Sequence, residues 1–173
     1  MAARNVILVG FMGAGKSVCG RLLARRLSRC FVETDDMIAS SEGCSIPEVF
    51  ARHGEARFRQ LEAEAVEALA LKSGDVVATG GGLPCRDGMM DKLRALGTVV
   101  WLRGDLDSLL ERARRQGARP MLEGRTAEQI KALYEGREPY YSQAHLTVDT
   151  SGRTVDQVVA DLVAALRGDH ARV

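Results

Sequence analysis

The stretch GFMGAGKS, Gly10 to Ser17, meets every fixed position of the spacing GxxxxGK[ST], between the apolar run VILV and the helical pattern VCGRLLARRL. Small residues in such a loop let successive backbone N–H groups converge on phosphate oxygens, and the helix that follows adds partial positive charge. Gly13, Ala14, Gly15, Lys16, Ser17 and Val18 are therefore the candidate nucleotide-binding residues. Lys16 is of a length to reach the β and γ phosphates, and Ser17 is the expected protein ligand for Mg²⁺. The loop identifies a phosphate donor and leaves the acceptor open.

Acceptor chemistry needs a hydroxyl aligned and its proton taken up, work suited to a carboxylate. Glu33, Asp35 and Asp36 in CFVETDD are the candidates, with Asp36 read as an acid favoured by a helix N-terminus. Downstream, HGEARFRQLE sets Phe58 and Arg59 at the start of a helix. The triplet Gly80-Gly81-Gly82 follows an apolar strand, where missing side chains let backbone N–H groups approach a ligand closely. A guanine-specific hydrolase would need an Asn/Thr-Lys-x-Asp signature, and the sole asparagine, Asn5, precedes the loop. DVVATGGG ends in Thr79 and glycines instead of the aspartate of large motor ATPases. A small-molecule or nucleoside monophosphate kinase fits better.

These residues need a frame to bring them together. Five runs, NVILVG, CFVET, DVVATGGG, TVVWLRG and LTVDT, read as strands. Helical patterns cover Lys16 to Leu27, Glu55 to Leu71, Leu106 to Arg115, Thr126 to Tyr140 and Thr154 to Arg167. Ser45 with Glu48 forms a capping box ahead of a further helix. Alternating β and α elements predict an α/β/α sandwich around a parallel sheet, with ligands at the carboxyl ends of the strands. The polar run from Arg114 to Arg125 carries four arginines between two helices and reads as a lid.

A chain of 173 residues is the size of one domain, and a net charge of +1 gives no electrostatic case for a nucleic-acid partner. No apolar stretch is long enough for a membrane span or signal peptide, which points to the cytoplasm. Cys19, Cys30, Cys44 and Cys85 lack metal-site spacing and read as reduced thiols.

GFMGAGKS, ETD, HGEARFRQLE, TGGGLP, RPML and REPYY, in this order, resemble the shikimate kinases, which use ATP to phosphorylate the 3-hydroxyl of shikimate on the way to chorismate and the aromatic amino acids. The resemblance runs from about Val6 to Arg167. It implies a single P-loop kinase domain with a five-stranded parallel sheet of order 2-3-1-4-5, an acceptor-binding region near 34–62 and a mobile lid near 114–125. It implies that Asp35 takes the acceptor proton and orients shikimate. Arg59 and Arg137, with the backbone of Gly80, Gly81 and Gly82, would bind the carboxylate and ring hydroxyls. Phe58 would pack on the ring, and Glu62 would hold an arginine in place. Arg119 would close over the transferring phosphate. Arg112 stands at the family's adenine-stacking position, and TSGRTV, with Arg153, at its adenine loop. The implied cofactor is Mg²⁺, near Ser17 and Glu33, and the implied partners are ATP and shikimate alone, bound by a monomer.

The chain departs from the family in two places. Glu33 stands where an aspartate is usual, one methylene longer, and Met121 replaces a common leucine of similar volume. A gluconate or nucleoside monophosphate kinase on the same scaffold leaves the Phe58-Arg59, glycine-triplet and Arg137 set without a role. A regulatory module derived from a kinase would be expected to lose Lys16, Asp35 or Arg119, and all three are present.

Overall fold

The computed structural model describes residues 4–115 and 124–170. Five strands, β1 (Asn5–Val9), β2 (Phe31–Glu33), β3 (Val76–Ala78), β4 (Gly97–Arg103) and β5 (Leu146–Asp149), form one parallel sheet in the order β2-β3-β1-β4-β5. The order is the one the resemblance implies. Ile7 pairs with Val77 on one side and Val99 on the other, which puts β1 at the centre. A central parallel strand is covered on both faces, and β1 is accordingly buried along its whole length.

Among the described residues seven α-helices connect or flank the strands: α1 (Lys16–Leu27), α2 (Thr34–Glu42), α3 (Ile46–Leu69), α4 (Met89–Leu96), α5 (Leu106–Arg115), α6 (Ala127–Tyr141) and α7 (Val155–His170). Helix α1 packs against α7 and β3, while α4 packs against β4 and α3. The capping box of Ser45 and Glu48 starts α3 as its sequence predicts, with the Ser45 N–H donating to Glu48 Oε2 at 2.8 Å.

The structure differs from the sequence reading at three points. Glu33 ends β2 and Thr34 already opens α2, so Asp35 lies in a first helical turn and not on an extended strand end. The helix expected from Glu55 is the second half of α3, which continues from Ile46 across a break where Gly54 has φ 73° and ψ −179°. Helix α4 and a short 3₁₀ turn at Leu83–Cys85 occupy the segment after the glycine triplet.

The main core runs between the sheet and its helices. A separate small cluster of Ile38, Val49, Phe58, Leu61 and Ala65 holds α2 against α3. Met37 packs against both clusters and so links this pair of helices to the main core.

Leu102, fully buried in β4, tests the main core. Leu102→Ala should lower the free energy of unfolding by about 2–5 kcal/mol in urea titration, through lost burial and the cavity left behind. A loss well under 1 kcal/mol would contradict the packing described.

Candidate active site

The glycine loop spans from the end of β1 to the start of α1 and packs against α5. Gly13 has φ 77°, and a Cβ there would stand 2.0 Å from the Leu109 carbonyl oxygen, so only glycine fits. Gly15 at the N-cap offers no side-chain acceptor, and the first turn of α1 holds no acidic residue. The opening N–H groups of α1 are thus left for an anion, with the helix dipole behind them. Lys16 Nζ donates to the carbonyls of Gly10 at 2.8 Å and Phe11 at 3.0 Å, which keeps the ammonium within the loop.

Beside the loop, Ser17 Oγ donates to Glu33 Oε1, and Arg21 holds Glu33 Oε2 at 2.6 Å. The longer acid therefore still reaches Ser17. Among the described residues no group of three or more His, Cys, Asp or Glu side chains could cage a metal. One hydroxyl and one carboxylate in contact fit Mg²⁺, which binds through one or two protein oxygens together with nucleotide phosphates and water. Arg21 was not anticipated from the sequence; its i+4 spacing from Ser17 on α1 was the available signal.

The β2–α2 and β3 ends meet next to this loop. Gly80 N–H donates to Thr34 Oγ1 at 3.0 Å, and a Cβ on Gly80 would come within 2.7 Å of Asp35 Oδ1. The carboxylate of Asp35 thereby lies against the first glycine of the triplet. A cavity of about 560 Å³ opens there, ample for a small ligand. Its wall includes Asp35, Phe58, Arg59, Glu62, Gly80, Gly81, Gly82 and Arg137, the whole acceptor set expected from the sequence. Met12, Ile46, Pro47 and Phe50 complete the wall. They escaped the sequence reading because apolar residues at a loop and a helix start resemble ordinary core positions; Phe50 in fact stacks on Phe58 with centroids 4.5 Å apart.

The two cavity arginines differ in their partners. Arg59 bonds Glu62 at 2.9 Å and Glu55 at 2.8 Å, and its backbone carbonyl accepts from Arg86 at 2.6 Å. Arg137 is buried, lies with its guanidinium carbon 5.6 Å from the Phe11 ring centre, and pairs with no carboxylate among the described residues. A buried cation without a counter-ion is costly, and the cavity is where that charge can be met.

The remaining expected residues lie elsewhere. Arg112 donates to Thr150 Oγ1 at 3.1 Å and to the Thr150 carbonyl at 2.6 Å, which joins α5 to the segment after β5 expected to form the adenine loop. Arg153 is turned toward α7, where it pairs with Asp161. Arg119 and most of the lid run, 116–123, lie outside the described residues.

The shikimate kinase family model matches residues 12–167. The chain belongs to the shikimate kinase family. It is 44% identical to the shikimate kinase of Geobacter metallireducens over 168 residues, covering 96% of this chain and 94% of that one. The crystal structure of the shikimate kinase of Aquifex aeolicus superposes with a TM-score of 0.87 at 36% identity, covering 96% and 98% of the two chains. The shikimate kinase of Acinetobacter baumannii, solved in complex with shikimate, gives a TM-score of 0.86 at 31% identity, covering 96% and 94%. For this member of the shikimate kinase family, every residue of the cavity wall and the glycine loop from Met12 onward fall within the matched region.

Glu62 provides a pH signature of the site. It is 1% exposed, and burial raises its carboxyl above the ordinary 4.5, with Arg59 working in the opposite direction. A folded state that holds the proton more tightly gains stability below pH 4.5 and loses that gain as pH rises through the folded value. Denaturation of the wild type and Glu62→Gln from about pH 4 to 7 should therefore show the wild type losing stability relative to the variant with rising pH. Parallel curves would contradict the assignment.

Proposed function

We propose that this chain transfers the γ-phosphoryl group of ATP to the 3-hydroxyl of shikimate, giving shikimate 3-phosphate and ADP. The observation that carries the reading is Arg137, a buried guanidinium beside Gly81 and Gly82 with no carboxylate partner among the described residues, in the same cavity wall as Asp35. An acceptor with its own carboxylate meets that charge, and a planar guanidinium suits a two-oxygen contact. Arg59, already offset by Glu62 and Glu55, supplies further donors to the acceptor. Phe58 lies along the alicyclic ring, and the Gly80–Gly82 backbone borders its hydroxyls.

In the reaction the acceptor oxygen attacks Pγ, the bond from Pγ to the β-phosphate oxygen breaks, and ADP leaves. Asp35 accepts the hydroxyl proton as the new P–O bond forms. N–H groups of Gly13, Ala14, Gly15, Ser17 and Val18 hold the donor phosphates, with Lys16 following the β and γ oxygens. Mg²⁺, held near Ser17 and Glu33, supplies charge neutralisation on the donor phosphates when bound. Arg119 from the lid offsets charge on the transferring group, and lid closure over 114–125 keeps water from accepting it. Arg112 and the loop at Arg153 border the adenine. Asp36 has no part in this chemistry.

The chain acts as a monomer in the cytoplasm, with no nucleic-acid or membrane partner. Its net charge of +1 gives no electrostatic case for a nucleic-acid partner, and among the described residues no helix is long and apolar enough to cross a membrane. The acceptor region near 34–62 rests on the small apolar cluster between α2 and α3.

Phosphorus NMR of the wild-type reaction should give one phosphate ester, at the 3-oxygen of shikimate, with ADP in equal amount. Asp35→Asn should cut turnover by about 10² to 10⁴ while leaving ATP affinity within a few-fold. Near-normal turnover in that variant would remove the proton-acceptor assignment.

A further inference from the structure

The reaction gives no role to Tyr141, the last residue of the REPYY segment. Tyr141 is fully buried, with its ring centroid 6.0 Å from that of Trp101. Its hydroxyl donates to the Gly81 carbonyl at 2.6 Å, a short bond that ties α6 to the middle of the glycine triplet. Burial pushes the Tyr141 phenol well above its ordinary value, so the group remains a donor throughout the working pH range.

Arg137 stands one turn earlier on α6, so the two side chains share a helix face. A Cβ built on Gly81 would meet Arg137 Nη1 at 3.4 Å and the Tyr141 hydroxyl at 3.8 Å, so both groups approach one peptide. In a trans peptide the carbonyl of one residue and the N–H of the next point in opposite directions. A Gly81 carbonyl held by Tyr141 therefore sets the direction of the Gly82 N–H. Gly82 lines the cavity, a Cβ on it would lie 3.2 Å from Arg137 Nη2, and its N–H donates to no other described residue. Thr34, Leu83 and Cys85 hold the Gly80 N–H and the Gly80 and Gly82 carbonyls, whereas the Gly81 carbonyl takes the short Tyr141 bond and only a longer contact from Cys85 Sγ at 3.7 Å.

We propose that Tyr141 is a positioning residue for the acceptor: its hydroxyl fixes the Gly81 peptide so that the Gly82 N–H and the Arg137 guanidinium converge on the same oxyanion of shikimate. The inference rests on the shikimate reading above and extends it to a residue that never touches substrate. One helix thus supplies the acceptor's cation and, four residues later, the bond that aims its backbone donor.

Tyr141→Phe removes one oxygen and keeps the ring packed on Trp101. The variant should raise the KM for shikimate about tenfold, with kcat within threefold and the KM for ATP unchanged. General loosening of the fold would move both substrates together, so equal rises in the two KM values, or no rise in either, would overturn the proposal. If the variant fails to fold, amide exchange in the wild type decides: shikimate without nucleotide should slow exchange at Gly82 at least tenfold, and an unchanged rate would overturn the proposal. A wild type with no shikimate-dependent turnover would overturn the functional reading as well. An active wild type with an indistinguishable Tyr141→Phe variant would overturn this inference alone.

Discussion

The site depends on β3 lying between β2 and β1. That order brings the carboxyl ends of three parallel strands side by side, although the segments following them begin at residues 10, 34 and 79 of the chain. The glycine loop, the Asp35 turn and the glycine triplet are each short and local. They meet because the sheet leaves them no other place. The Gly80 N–H bond to Thr34 Oγ1 is the stitch between two of them, and the Ser17 contact with Glu33 joins the third. With β2 next to β1 instead, Asp35 would lose its glycine neighbour.

Charge is distributed over this frame unevenly, and the unevenness has chemical meaning. Carboxylates occupy Arg59 on two sides, which holds its guanidinium in one orientation before any ligand arrives. Arg137 lies against Phe11 and the glycine wall and pairs with no carboxylate among the described residues. Glu33 is likewise divided between Ser17 and Arg21. The extra methylene relative to the family's usual aspartate is thereby accommodated by a cation on the next turn of α1.

Much of this frame could be read from the residues. The loop spacing identifies phosphate binding because backbone geometry there admits few other sequences, and the β1 run of apolar residues announces a central strand. Periodicity alone could not order the strands; the resemblance supplied 2-3-1-4-5, and the registers agree with it. Helix α4 escaped notice because its eight residues follow a glycine-rich turn and carry too short a repeat. The start of α3 was signalled by its capping box, but Gly54 hid the continuity of its two halves by reading as a boundary. Among site residues, those with charge or with triple glycine stood out, whereas Ile46, Pro47 and Phe50 carry no mark that separates a cavity wall from a core. Arg119 has only its motif, since it lies outside the described residues.

The central claim is that the cavity selects an acidic alicyclic alcohol as phosphoryl acceptor. ADP release from MgATP by the purified protein, with shikimate, gluconate, CMP, AMP or no acceptor, tests it directly. The account predicts release stimulated by shikimate alone. Stimulation by any other acceptor, or none by shikimate while ATP still binds, would contradict it.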